Sequence, residues 1–225
     1  VVGADQIRRV QKAYLEKSRH KIPLLFMADI IYGFRTVFPI PLALGCTFDP
    51  ELLEKLCMAT SKESVAAGAQ VTFSPMADLV RDARWGRCLE STGEDPYMNC
   101  RYAAAMVEGF QEGLQEEGAG KGMASCVKHF AAYGAGEAGR DYNRVDLSMQ
   151  RLWEEYLPSY QACVDAGARA VMPAFNDSNG VPCTVNAWLL RDILREKWGF
   201  DGLVVSDSNA IAECVSHGIA QDKRD

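Results

Sequence analysis

The stretch "GLVVSDSNA", residues 202–210, sets an ionisable group at the lip of an apolar run. Leu203, Val204 and Val205 follow a glycine breaker and have the branched, apolar character of a buried strand. Asp207 arrives two residues later, where such a strand must end. A local reading makes Asp207, Ser206 or Asn209 the cap of a helix opening at Asn209-Ala210-Ile211-Ala212. A functional reading needs other strands to end in the same way.

Working outward, the chain alternates. Apolar runs at 22–29, 42–46, 69–75, 123–130, 168–175 and 202–207 read as strands buried on both faces. A helix-like stretch at 4–20 opens the chain, and amphipathic segments with helix starts lie between the runs: Asp49-Pro50 before 51–68, Asp95-Pro96 before 97–115, Asn186 before 187–199. A further helix is predicted over 148–167, ending on Gly167. Strand alternating with helix means a parallel sheet, doubly wound or closed as a barrel.

The polar residues choose between the two. Asp29, Arg87, Lys128, His129 and Asp207 stand at or just beyond the ends of different runs. A barrel brings all such ends to one mouth, whereas an open sheet joins only a couple at its switch point. No G-x-G-x-x-G follows the first run, and no phosphate-binding G-x-x-x-x-G-K-[ST] occurs anywhere. The expected fold is α/β, a (β/α)8 TIM-type barrel, incomplete at both ends because six runs are present where closure takes eight. No linker or repeat divides residues 1–225, so one partial barrel domain is expected, with two sheet edges left uncovered.

Composition narrows the function. With 48% hydrophobic residues in 225 the chain can bury a sizeable core. A net charge of −6 with scattered Lys and Arg argues against a nucleic-acid surface. No apolar run reaches the ~18 residues of a membrane span, and residues 1–10 lack a signal pattern. None of the eight cysteines forms a C-x-x-C pair, so no metal is expected, and residues such as Cys126 in "MASCVKHF" read as small buried hydrophobes; no cofactor is expected either.

The segments "IPLLFMADIIYGFRTVFPIPLALGCTFDPELL", "FSPMADLVRDARWGRCLESTGEDPYM", "SCVKHFAAYG", "AVMPAFNDSNGVPCTVNAWLLRDILREKWGFDGLVVSDSNAI" and "HGIAQD" occur in this order. Together they resemble the family-3 glycoside hydrolases of the β-glucosidase type, over nearly the whole chain. The resemblance implies a catalytic (β/α)8 domain, a retaining glycosidase, and the aspartate of "VVSD", Asp207, as nucleophile. It also implies that the general acid/base is a glutamate of a C-terminal domain absent from these residues; Glu90, Glu94 and Glu137 are the candidates within them. In retaining hydrolysis a carboxylate attacks the anomeric carbon as an acid protonates the leaving oxygen, and cationic neighbours such as Lys128 and Arg87 favour the ionised form a nucleophile needs.

The other matched positions are substrate-binding by resemblance. Asp29, closing "LLFMAD", resembles the aspartate that grips hydroxyls on the non-reducing side. Arg87 resembles the sugar-binding arginine, with Arg84 expected to pair with Glu90 or Glu94. Lys128 and His129 resemble the paired donors of "KHF", and Met172 a methionine packed near the sugar. Three departures stand out: Ala83 replaces a proline in "DPRWGR", Ser208 stands where many members carry Trp or His, and Phe175 where some place a tyrosine. The loop 131–143 also lacks the pattern of the N-acetylhexosaminidase branch.

The short Asp29 carboxylate resembles the glucosidase rather than the xylosidase pattern, so the expected activity is exo-acting hydrolysis of terminal non-reducing β-D-glucosyl residues from glucosides and oligosaccharides. β-Xylosidase, β-galactosidase and a non-catalytic sugar-binding barrel are the alternatives, with a Schiff-base Lys128 as an unrelated one. A homo-oligomer is compatible with this reading, and family resemblance favours a periplasmic or secreted location.

Overall fold

The computed structural model describes residues 3–114 and 122–222. Its strands are β1 Met27–Ala28, β2 Val71–Thr72, β3 Ala124–Phe130, β4 Ala170–Pro173, the short hairpin β5 Asp177–Ser178 and β6 Val181–Pro182, and β7 Leu203–Val204. Five of these form one parallel sheet in the order β1-β2-β3-β4-β7. The order follows the chain without reversal, as in the wall of a barrel and unlike a doubly wound sheet. Among the described residues β1 and β7 have no neighbour on their outer edges, so the fold is an incomplete (β/α)8 barrel.

The helices are α1 Ala4–Lys17, α2 Pro41–Gly45, α3 Pro50–Ala66, α4 Pro96–Gln111, α5 Met149–Arg151, α6 Pro158–Asp165 and α7 Ala210–Ser216. Both predicted Asp-Pro starts are real caps: Asp49 accepts from the N–H of Leu52 at 3.0 Å and Asp95 from that of Met98 at 2.8 Å. Asn186 likewise accepts from Leu189 N–H at 3.2 Å, ahead of a π-helical segment Trp188–Lys197. The segment expected at 97–115 ends as a helix at Gln111, and its last residue, Gln115, lies outside the described residues.

Two expectations are corrected. The run 42–46 is not a strand but lies in and beside the single turn α2. Pro41 at its first position presets a helical φ, and five apolar residues carry too little periodicity to separate a buried strand from a buried turn. The wall therefore has five strands where six were expected. The helix at 148–167 is also interrupted, with a π turn at Leu152–Tyr156 between α5 and α6. Pro158 has no N–H to continue the ladder, and Leu157 N–H instead reaches back to Leu152 C=O at 2.9 Å.

Alternation along the strands sorts the side chains into layers. Val127, Phe130 and Val171 face the helices and pack with Leu152, Tyr160, Leu189 and Ile193. A second helix-side cluster joins Leu53, Cys57, Tyr102, Met106 and Phe110 to Met123. Cys126, Ala170, Met172 and Val71 face the other way and form a small inner cluster, the filling of the barrel. Cys57, Cys126, Cys163, Cys183 and Cys214 are all buried, and burial pushes the Cys126 and Cys183 thiols up to about 12. Their side chains act as apolar packing.

The Asp95 cap gives a stability prediction. Asp95→Ala in the intact protein should lower the urea midpoint of this domain by the equivalent of about 1 kcal/mol with the slope unchanged, while Asp95→Asn keeps most of that stability.

Candidate active site

Beyond the carboxyl ends of β1, β2, β3, β4 and β7 lies a cleft of about 540 Å³. All six residues singled out from the sequence line it: Asp29, Arg87, Lys128, His129, Met172 and Asp207. Two larger hollows, of about 810 and 840 Å³, lie elsewhere, one at the start of β1 and β2 against α1 and one between α2 and the start of α4. Neither gathers groups from several strand ends, so chemistry rather than size identifies the site.

Lys128 follows from strand alternation. It shares the inward face with Cys126, two residues before it, and its register partner is Met172. The lysine is 4% exposed and donates from Nζ to Asp29 Oδ1 at 2.6 Å, although the Asp29 side chain is itself largely open to solvent. Half-exposed pairs of this kind contribute at most about 1 kcal/mol, so the pair orients the two groups more than it stabilises the fold.

His129 should by alternation point to the helices, yet it lines the cleft. The pairing of β3 with β4 slips between Lys128 and Phe130, and this irregularity re-aims the histidine. Its ring is held from behind by Asp78, which is completely buried: Oδ2 of Asp78 lies 2.8 Å from Nδ1 and accepts the backbone N–H of His129 at 2.9 Å. Oδ1 of Asp78 lies 2.6 Å from the Tyr160 hydroxyl, which is also 2.7 Å from the His129 carbonyl. Burial alone would raise the Asp78 carboxyl, but the hydrogen bond and field of His129 and the bond from Tyr160 outweigh it and hold the group below its ordinary value. An ionised carboxylate accepts only, so this contact favours a proton on Nδ1, with Nε2 on the side of Asp207.

Arg87 and Glu90 are joined by two hydrogen bonds, Nε to Oε1 at 2.8 Å and Nη2 to Oε2 at 2.9 Å. Burial opposes the guanidinium charge, but Glu90 and the field of Asp78 more than compensate and raise its pKa further. This corrects the expected pairing of Arg84. Arg84 instead folds onto Asp82, whose Oδ1 also accepts the Arg84 backbone N–H at 3.0 Å, and the contact pulls the Asp82 carboxyl down to about 2. The short 3₁₀ turn Cys88–Glu90 brings Glu90 back to Arg87 three residues earlier and so decides which arginine it meets.

Asp207 differs from every other charged group in the cleft. Its Oδ1 accepts the N–H of Ser208 at 2.6 Å, while Oδ2 is buried and has no hydrogen-bond partner. The nearest cationic-type atom is Nε2 of His129, 3.6 Å away, too far for a hydrogen bond. The Asp207 side chain does not cap the following helix: Asn209 holds the N-cap position, at φ 62°, and α7 receives from Asp207 only its backbone carbonyl. A buried acceptor left without a partner costs roughly 1–3 kcal/mol, and here it belongs to a carboxylate that lines the cleft.

The remaining expectations fall out plainly. Met172 is 5% exposed and sits on the cleft wall. Phe175 packs against Tyr133 and Tyr142 with ring centroids 6.0 and 4.8 Å away. Of the candidate acids, Glu137 is exposed and Glu94 lines the hollow beside α2 rather than the cleft. Glu90 lines the cleft, bound to Arg87. Among the described residues no cluster of His, Cys, Asp and Glu is arranged to hold a metal ion, and no helix is long and apolar enough to cross a membrane. Sequence reasoning passed over Asp78 and Tyr160. Asp78 carried the same signal as Asp29 and Asp207, a carboxylate just past an apolar run, whereas nothing local marks Tyr160.

A partial parallel barrel with a mouth of carboxylates and fixed cationic donors belongs to the class of α/β barrels that handle polar ligands at their strand ends. The chain belongs to the glycosyl hydrolase family 3 N-terminal domain family, whose profile matches residues 1–224. It is 45% identical over 230 residues to a periplasmic beta-glucosidase of Salmonella typhimurium, covering 100% of this chain and 29% of that protein. It is 42% identical over 195 residues to a beta-xylosidase of Formosa agariphila, covering 85% of this chain and 27% of that protein. Among solved structures, the beta-glucosidase of Listeria innocua in complex with glucose superposes with a TM-score of 0.95 at 52% identity, over 98% of this chain and 31% of that one. The chain thus spans under a third of the length of these relatives.

Asp78 gives a pH prediction. Its folded pKa lies below the ordinary 3.8, so the stability it contributes is fully present above that value and is lost as pH falls through the lower folded value. Urea midpoints should therefore fall more steeply below about pH 4 in the native protein than in Asp78→Asn.

Proposed function

We propose that the protein containing this chain is a retaining, exo-acting β-glucosidase that removes terminal non-reducing β-D-glucosyl residues through a covalent sugar on Asp207. The observation that carries this reading is the buried, unpartnered Oδ2 of Asp207, on a carboxylate that lines a cleft whose other charged groups are already held. A nucleophile needs a free lone pair at a fixed place, and Ser208 N–H on Oδ1 fixes the carboxylate while leaving Oδ2 free. Asp207 attacks the anomeric carbon as the leaving oxygen is protonated, and water then releases the sugar with net retention. Lys128, Asp29, Arg87 and His129 supply donors and acceptors for the sugar hydroxyls, and Met172 an apolar wall.

The general acid comes from the part of the protein outside residues 1–225. Glu90 is the one candidate glutamate in the cleft, and both its oxygens are held by Arg87. An acid contributes roughly 10²- to 10⁴-fold in rate, so turnover of unactivated glucosides requires that further part. Glucose is favoured over xylose because Asp29 is the shorter carboxylate, while the Formosa beta-xylosidase relative keeps a xyloside as the second reading. The periplasmic beta-glucosidase relative supports action in the periplasm or outside the cell.

Asp207→Asn in the whole protein should fold normally and lose at least roughly 10⁴-fold in kcat. Proton NMR of the native reaction should show β-glucose as the first-formed sugar; α-glucose first would rule out retention. Asp29→Ala should lower kcat as well as raise KM on a glucoside, since remote contacts are used to stabilise the transition state. That loss should shrink on deoxy-glucosides lacking the hydroxyl it grips, and an equal loss on both substrates would make Asp29 structural.

A further inference from the structure

Behind the cleft lies a charged group that the mechanism above does not use. Asp78 is fully buried, as are His129 and Tyr160, and the three side chains come from the segment after β2, from β3 and from α6. A buried carboxylate is retained at a desolvation cost of several kcal/mol, and packing alone would be served as well by an apolar residue. Its contacts indicate what it does instead. Oδ2 takes two donors from one residue, the ring Nδ1–H and the main-chain N–H of His129, and Oδ1 takes the Tyr160 hydroxyl.

We infer that Asp78 is a positioning residue for glycoside hydrolysis: its buried negative charge, held by Tyr160, fixes the Nδ1–H tautomer and ring orientation of His129, so that Nε2 is the atom His129 presents beside Asp207. The inference rests on the β-glucosidase reading given above. Without the carboxylate the imidazole is free to take the other tautomer or to turn its ring over, which would set a C–H edge or a misplaced proton where a sugar hydroxyl must bind. With it, Nε2 stands 3.6 Å from Oδ2 of Asp207, and its lone pair can accept from a hydroxyl of the sugar that Asp207 attacks. The carboxylate does not line the cleft, and of the cleft residues its hydrogen bonds reach only His129.

The geometry also supplies a clean variant. Asp78→Asn can keep its oxygen at the Oδ2 position, still accepting both donors from His129. Its amide nitrogen then donates to the Tyr160 oxygen, whose own proton turns to the His129 carbonyl 2.7 Å away. The contacts are kept but the charge is lost, and a neutral amide oxygen holds the Nδ1 proton and the ring roughly half as strongly as a carboxylate does. Tyr160→Phe does the converse: it removes a hydroxyl and leaves the charge and both His129 contacts in place.

The test is kinetic, on the whole protein with an aryl β-glucoside. Asp78→Asn should lower kcat/KM by roughly 10- to 100-fold, the effect typical of the partner that orients a working histidine, at a temperature where circular dichroism shows both proteins fully folded. In a His129→Ala background the same substitution should cost less than about 2-fold, because its route to the substrate is gone. Tyr160→Phe should stay within about 3-fold in kcat/KM while unfolding earlier. Equal losses from Asp78→Asn in both backgrounds, or matching losses of activity in Asp78→Asn and Tyr160→Phe, would overturn the inference. Nitrogen-labelled histidine in the native protein gives an answer that depends on no variant: a proton on Nδ1 of His129 supports it, and a bare Nδ1 sinks it. A native protein without glucosidase turnover would instead count against the proposed function and leave the tautomer measurement standing.

Discussion

The pairing of each buried or half-buried cationic-type donor in the cleft with a carboxylate of its own is the constraint from which the rest of the site follows. Lys128 is held by Asp29, Arg87 by Glu90 and His129 by Asp78. Three long or rotatable side chains are thereby fixed before any ligand arrives, and ordering them on binding would otherwise cost about 0.5–1.5 kcal/mol each. The same pairing leaves Asp207 with no cation in hydrogen-bond reach. Its Oδ2 is the one carboxylate oxygen, among the buried side-chain atoms described, that lacks a partner. On the proposed reading, such a site binds a neutral polyhydroxy ligand through oriented dipoles and keeps one reactive lone pair in reserve.

The barrel makes this possible by supplying the groups from separate strands. Asp29 closes β1, Asp78 and Arg87 come from the segment after β2, Lys128 and His129 from β3, Met172 from β4 and Asp207 from beyond β7. The positions owe their precision to packing on the helix side. Phe130, immediately after His129, contacts the Tyr160 ring at 5.4 Å and the Trp198 ring at 5.6 Å, which anchors the irregular end of β3. At Gly109 helix α4 comes so close to the backbone carbonyl of Glu54 in α3 that no Cβ would fit, so the outer layer is seated tightly.

Much of this was legible in the sequence, and what was missed has physical reasons. Strand-helix alternation gave a parallel sheet, polar residues at the ends of apolar runs gave the barrel and five of the six cleft residues, and Met172 came from the family resemblance. Five residues at 42–46 were misread because a short apolar run looks the same in a buried strand and a buried turn. Arg84 was assigned the wrong carboxylate because partner choice depends on turn geometry, here an Asp82 turn and a 3₁₀ turn, rather than on spacing. Tyr160 was invisible because its role depends on α6 crossing behind β3, a contact between residues 31 apart in the chain. Asp78 was readable, as a third strand-end carboxylate, but its neighbour motif drew attention to the arginines instead.

The most direct measurement of the central claim is covalent trapping. The whole protein is incubated with an activated 2-deoxy-2-fluoro-β-glucoside, which slows release of the sugar more than its attachment, and the labelled peptide is sequenced by mass spectrometry. The account predicts one fluoroglucosyl group per chain, attached to Asp207 within the peptide that contains "VVSDSNA". A label on Glu90, Asp29 or any other carboxylate, or inactivation without a covalent sugar, would contradict it.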